Sequence, residues 1–285
     1  MNENRRKAYR VVRRKWLVHK YTSALATYTL QLYDLHLNNY TILPVLAIFR
    51  KEINQFFSSP IAYIIMGVFL TAIGLMLWVF PDTSLLENGY ADMGTFFNLT
   101  PYVMLFLVPA VTMRSIADEV RSGTLEWLLT KPVSRWGVVG GKFLASWLLV
   151  ILTLLPTLLY YASLYQLGSP VGNIDSAGVF GSYIGLVLLA GVFVAIGLWA
   201  SALNDNQVVA FVLGVFFSFL LYVGLSALAG LSIFGPVSYY LSSFALDEQY
   251  RALGRGVLDS RNIIYLLSLL LFFLLLTTQR LRSTN

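Results

Sequence analysis

The sequence predicts an all-α integral membrane protein with six transmembrane helices, and three observations carry that reading. Of its 285 residues, 57% are hydrophobic and only 12% are charged, about half of the roughly 25% charge found in soluble domains. The mean hydropathy is +0.69. The charges also avoid several long apolar blocks and gather between them, as a bilayer requires, because an ionisable group in hydrocarbon costs several kcal/mol.

Residues 1–43 come first and are basic and aromatic, with Arg5, Arg6, Lys7, Arg10, Arg13, Arg14, Lys15 and Lys20. They hold no apolar core or small-residue cleavage site of a signal peptide. This N-terminal extension is expected to be a poorly ordered cytoplasmic tail or an extension from an upstream start, with a dedicated binding arm as the third reading. The run Val45–Pro60 is amphipathic: Leu46, Phe49, Ile53, Phe56 and Phe57 share one arc, and Arg50, Lys51 and Glu52 take another. Such a helix is expected to lie along the cytoplasmic interface.

The spans follow from fitting about 20 apolar residues, at roughly 1.5 Å each, to a hydrocarbon core of about 30 Å. They fall at about 61–80, 96–113, 143–165, 179–203, 208–231 and 262–278, within a membrane domain of residues 44–282. Pro101, Pro109 and Pro156 interrupt the second and third, and Asn204-Asp205-Asn206-Gln207 allows only a tight turn between the fourth and fifth.

Orientation follows from the basic residues. Seventeen of the 20 Lys and Arg fall on one side of an even number of spans, and only Arg251, Arg255 and Arg261 on the other. The opposite side carries Asp82, Glu87, Asp92 and Asp175 in its first two loops. Both termini are therefore expected inside, in a multi-pass protein of the bacterial inner membrane. The same distribution assigns the net charge of +6 to membrane topology rather than to nucleic-acid binding.

Three segments are candidates for function. The inside loop 113–142 places Ile116, Val120 and Trp127 on one helical stripe, flanked by Ala117 and Leu128, while Asp118, Glu119, Ser122 and Glu126 take the opposite arc. Gly123-Thr124 should divide it into two short helices, with Thr124 as N-cap and Pro132 ending the second. It suits docking into a groove on a soluble partner, or serves as a solvated connector. The outside stretch Leu231–Ser260 carries Gly235-Pro236, which breaks the fifth span, and the interfacial aromatics Tyr239, Tyr240, Phe244 and Tyr250. Residues 244–258 suit a short surface helix or an ordinary interfacial loop. In the fourth span, Gly181-x-x-x-Gly185 is a small-residue pair that serves helix packing.

Absences are informative too. There is no Cys, and the two histidines, His19 and His36, precede the first span, so thiol chemistry and a histidine centre inside the membrane are excluded. No catalytic, metal or cofactor-binding residue is expected. The spans carry essentially no ionisable group away from their ends, unlike ion-coupled carriers and carboxylate-based intramembrane enzymes. No G-x-x-x-x-G-K-[ST] loop is present, so ATP is not bound here in the P-loop manner. Energy is expected to arrive from another polypeptide.

The residues Arg114, Glu119, Gly123-Thr124, Glu126, Leu128, Lys131-Pro132, Ser134-Arg135 and Gly141-Lys142 resemble the loop signature of ABC-2 type transporter permeases. Residues 50–63 and 255–269 resemble that family's entry into the first helix and its final segment, so the likeness spans about residues 45–282. Together the three look most like the gliding-motility-associated permeases of the GldF type in Bacteroidetes; permeases of nitrous-oxide-reductase maturation share most of these features. The resemblance implies the ABC-2 (type V exporter-like) fold, with a coupling helix in the inside loop that transmits ATP-driven motion. It also implies a separate ABC ATPase subunit that binds the ATP, and a second permease protomer or related membrane subunit. The residues expected to serve coupling are Arg114, Asp118, Glu119, Arg121, Gly123, Thr124, Glu126, Leu128 and Arg135. Glu119 and Glu126 are expected to touch the ATPase, and Arg114 and Arg135 to fix the loop at the membrane surface. A membrane anchor that translocates nothing, or a membrane-embedded lipid transferase, are the readings from other classes.

Overall fold

The computed structural model describes residues 45–85, 92–129, 133–231, 237–254 and 259–283. Residues 1–43, Glu87, Lys131-Pro132, Gly235-Pro236 and Arg255 lie outside the described residues. The described residues are mostly helical, without a strand. Six helical segments are long and apolar enough to cross a membrane: Pro60–Trp78, Gly94–Arg121, Arg135–Leu167, Ser176–Leu203, Gln207–Ala229 and Ser260–Leu281.

Helix α1 covers residues 45–58 and passes directly into α2, Pro60–Trp78. The junction is written in Ser59-Pro60: the Ser59 hydroxyl accepts from the Ile61 amide, and Pro60 occupies a first-turn position where its missing N–H costs nothing. Helix α3, Gly94–Thr112, contains Pro101 and Pro109. Two short helices then form an elbow, α4 (Ala117–Arg121) and α5 (Thr124–Leu129). They are separated by Gly123, whose φ of 69° falls in the left-handed region that a side chain disfavours.

The third span begins earlier than hydropathy alone suggests. Helix α6 runs Arg135–Leu154, because Ser134 caps it by accepting from the Gly137 amide at 3.1 Å. Lys142 therefore lies two turns inside a helix rather than at the end of a loop. Around Pro156 the helix tightens to a 3₁₀ turn at Leu155–Thr157 and resumes as α7, Leu158–Leu167.

Helix α8, Ser176–Leu203, is the axis of the bundle. It packs against α3, α6 and the later helices α9, α12 and α13, and 72% of its most apolar window is buried, against 22% for α2. Its small residues allow this. A Cβ on Gly197 would overlap the Thr112 hydroxyl of α3, and one on Gly191 would stand 2.9 Å from Leu270. Helix α9, Gln207–Phe219, is capped by Asn206 and passes through a π-helical turn at Leu220–Gly224 into α10, Leu225–Ala229.

At the end of the bundle away from the elbow α11 (Val237–Phe244) and α12 (Leu246–Leu253) are short helices, and α13, Ser260–Ser283, closes the bundle. Tyr239, Tyr240 and Phe244 are exposed, as interfacial aromatics should be. Tyr250 is different: it is 4% exposed and its hydroxyl donates to the Phe97 carbonyl at 3.0 Å. Its ring lies against Gly185, where a Cβ would stand 3.1 Å away. The glycine pair of α8 thus seats the outer helix α12 at Gly185, and Gly181 is buried one turn before it.

Candidate functional site

The site forms where α1, α4 and α6 meet at the basic end of the bundle. Lys142 on α6 is 1% exposed, and three oxygens surround its ammonium. Glu52 Oε1 of α1 and Glu119 Oε1 of α4 stand at 2.9 Å each, and the Ser115 carbonyl accepts at 2.6 Å. Lys51 completes the group by donating to Glu119 Oε1 at 2.9 Å. A buried charge is tolerated only when paired and hydrogen-bonded; Lys142 and Glu52 meet that condition here, and Glu119 meets it through Oε1. Burial pulls the Lys51 ammonium down, but Glu119 and Glu52 outweigh it and hold its pKa above the ordinary 10.5.

Close approach makes the pairing reachable. A Cβ on Gly141 would stand 2.8 Å from Ile48 and 3.0 Å from the Val45 carbonyl, so α1 lies directly on the glycine face of α6. Accordingly α1 turns Ile48 and Glu52 inward, while Leu46 is exposed. A carboxylate from its polar arc, and not only its apolar arc, faces the bundle.

A second set of contacts fastens the elbow to the centre. The buried Ser201 hydroxyl on α8 accepts from the amides of Ile116 and Ala117, at 3.1 and 3.0 Å, and donates to the Met113 carbonyl at 2.9 Å. The first residues of α4 have no local side-chain cap, so a residue 85 positions away supplies it. Gln207 at the start of α9 donates to Asp118 Oδ1. Ile116, Ala117 and Leu125 are buried beneath the elbow.

The coupling residues expected from the sequence divide into two groups. Arg114, Asp118, Glu119 and Thr124 line one cavity of about 350 Å³ with Lys51, Glu52, Ser122 and Lys142. Arg121, Gly123 and Glu126 are exposed on the far side of the elbow, and Leu128 is half-buried. Thr124 opens α5 rather than preceding it; its hydroxyl meets that of Ser122 at 2.9 Å. Glu119, expected to face outward on the charged arc, turns inward to the two lysines, leaving Glu126 as the exposed acid of the elbow. Arg135 opens α6. Sequence reasoning missed Lys142–Glu52 and Ser201. The Ser134 cap was the available signal for Lys142, whereas nothing in the local sequence marks Ser201.

Among the described residues no group of His, Cys, Asp and Glu could hold a metal ion. Fold and site define a polytopic helical membrane protein that fastens a two-helix elbow to one end of its bundle. The family model of ABC-2 family transporter proteins matches residues 46–281, and the chain belongs to that family. It is accordingly a membrane permease subunit of the ABC transporter type, which implies association with an ABC ATPase. No curated protein matches the chain.

Proposed function

We propose that an ABC ATPase docks on the exposed face of the α4–α5 elbow and that the chain works as half of a permease pair in the bacterial inner membrane. The observation that carries this is the division of the elbow. Arg121 and Glu126 are exposed on its surface, while its inner side is fixed to α8 by Ser201 and to α6 by Lys142. A partner pushing on Glu126 would thereby move α8, the axis of the bundle. Both ties fall on the first residues of α4, from Ile116 to Glu119, so displacement of α4 is passed to the helices that hold it.

Binding and hydrolysis of ATP in the partner would close and open a pair of ATPase subunits, and the two elbows would convert that into rocking of the two bundles. Arg114 and Arg135 would fix the elbow at the membrane surface. The likeness of residues 50–63, 113–142 and 255–269 to GldF-type permeases supports a place in a gliding-motility-associated system of Bacteroidetes. The alternative is copper-enzyme maturation of the nitrous-oxide-reductase type. Neighbouring genes discriminate: an ATPase gene beside a large membrane subunit with a soluble outer domain supports gliding, and a copper-enzyme cluster supports the alternative.

The direct test purifies the tagged chain gently and assays co-purifying ATP hydrolysis. Glu126→Lys should lower it markedly while leaving the permease folded. Unchanged co-purification would overturn docking at this face. Substrate-stimulated turnover in liposomes separates a transporter from a non-translocating anchor.

A further inference from the structure

The cavity beneath the elbow has a lining that the ionic cluster does not use up. Part of the lining is polar and part apolar, the apolar part including Ile61, Ala62 and Ile65 of α2 with Val111 and Leu149. Helix α2 continues outward into the exposed surface of Tyr63, Ile64 and Val68, so the apolar wall runs on toward lipid. The cavity lies where α2 begins and α3 ends, the part of a span that meets lipid headgroups.

Charges along the lining balance. Lys51, Lys142 and Arg114 face Glu52, Asp118 and Glu119, which gives no net attraction for a singly charged anion or cation. Two of these groups are nevertheless left unmatched. Glu119 Oε2 is buried without a hydrogen-bond partner among the described residues, and such an orphan carboxylate oxygen is expensive. Arg114 is exposed and makes no ion pair among the described residues. A ligand that offers a hydrogen-bond donor to Glu119 and an anion to the exposed Arg114, joined on an apolar body, satisfies both.

From this we infer that the cavity binds a phospholipid with a primary-ammonium zwitterionic headgroup, of which phosphatidylethanolamine is the simplest. Its ammonium donates to Glu119 Oε2, its phosphate sits against Arg114 with Lys51 beside it, and its acyl chains follow the Ile61–Ile65 wall of α2. Phosphatidylcholine carries the same charges but no N–H, so it leaves Glu119 unsatisfied. Phosphatidylglycerol brings a net negative charge that the balanced lining does not favour. The bound lipid would brace α1, α2 and the elbow against one another. This site is independent of the ATPase reading and stands or falls without it.

The full-length chain is purified from nanodiscs of equimolar phosphatidylethanolamine, phosphatidylcholine and phosphatidylglycerol, and the retained lipid is read by native mass spectrometry. Phosphatidylethanolamine should be enriched roughly tenfold over phosphatidylcholine, the scale of one charge-assisted hydrogen bond. Glu119→Gln should abolish that discrimination. Arg114→Gln, at an exposed residue outside the ionic cluster, should weaken retention of all three lipids while preserving their ratio, which keeps the test open if Glu119→Gln fails to fold. Equal retention of phosphatidylcholine, preference for phosphatidylglycerol, or no retained lipid would overturn the inference. So would displacement by soluble phosphoethanolamine at matched concentration, because it would remove any role for the apolar wall.

Discussion

The two ends of the bundle are closed by opposite physics. At the outer end, α12 is seated by shape: the Tyr250 ring fills the space over Gly185, with one hydroxyl bond to Phe97 and an exposed Arg251–Asp247 pair at 2.8 Å. At the basic end, α1, α4 and α6 are joined by buried ions around Lys142. Removing a piece of the outer seat leaves a gap or a bump. Removing a piece of the inner cluster strands charge in low dielectric, which costs far more. The elbow is thus tied to the bundle by contacts that are either intact or broken, as a rigid transmission point requires.

The largest effect should come from Lys142→Met, which leaves the buried Glu52 and Glu119 with only the half-exposed Lys51 as a cation. A loss of about 3–5 kcal/mol is expected, read as a lower melting temperature in detergent. The double variant Lys142→Met, Glu52→Gln should recover part of it, because less charge is stranded. A melt for Lys142→Met equal to that of the parent would end the contrast between the two ends. Gly185→Leu should cost about 1–3 kcal/mol by overpacking against Tyr250, and its damage should appear as faster proteolysis around α12 rather than at the elbow.

Ser201→Ala should cost about 1–3 kcal/mol, since two buried amides lose their acceptor. Hydrogen exchange at Ile116 and Ala117 should accelerate while α12 stays protected; unchanged protection there would show that Ser201 does not fasten the elbow. Tyr250→Phe, which deletes one hydroxyl bond, should cost about 1 kcal/mol.

The smallest effect is the pH response of Lys51. Its folded pKa is raised, so its contribution is fully present below the ordinary 10.5 and is lost only as pH climbs through the raised value. The melting temperature should therefore show no Lys51-dependent step from pH 7 to 10. A Lys51→Met variant that altered the pH profile inside that window would contradict the pairing with Glu119.

Much of this architecture was legible in the sequence, and the reason is solvent. Hydrocarbon penalises charge so strongly that six apolar blocks and a one-sided basic bias predict helix number and class without any contact being known. The Gly123-Thr124 break was legible because a positive φ has few residue solutions. The inner cluster was not. Hydropathy treated Lys142 as a loop residue because it is charged, yet a Ser134 cap eight residues earlier carries the helix past it. Glu119 looked outward because Asp118, Ser122 and Glu126 share its arc, and helical periodicity cannot register a lysine arriving from another helix. Ser201 lay beyond local reading altogether, being one hydroxyl in an apolar span whose partners are 84 and 85 residues away. Tyr250 resembled the belt aromatics Tyr239 and Tyr240 in sequence. What distinguishes it is the absence of a side chain at Gly185, on a different helix.

The central claim is that force enters through the exposed face of the α4–α5 elbow. The natural chain has no cysteine, so one introduced residue gives an unambiguous cross-linking position. Glu126→Cys in intact membranes should cross-link to a nucleotide-hydrolysing subunit, and Tyr240→Cys at the outer end should not. Cross-linking from position 240 alone, or labelling of position 126 by a reagent confined to the outer side of the membrane, would contradict the account.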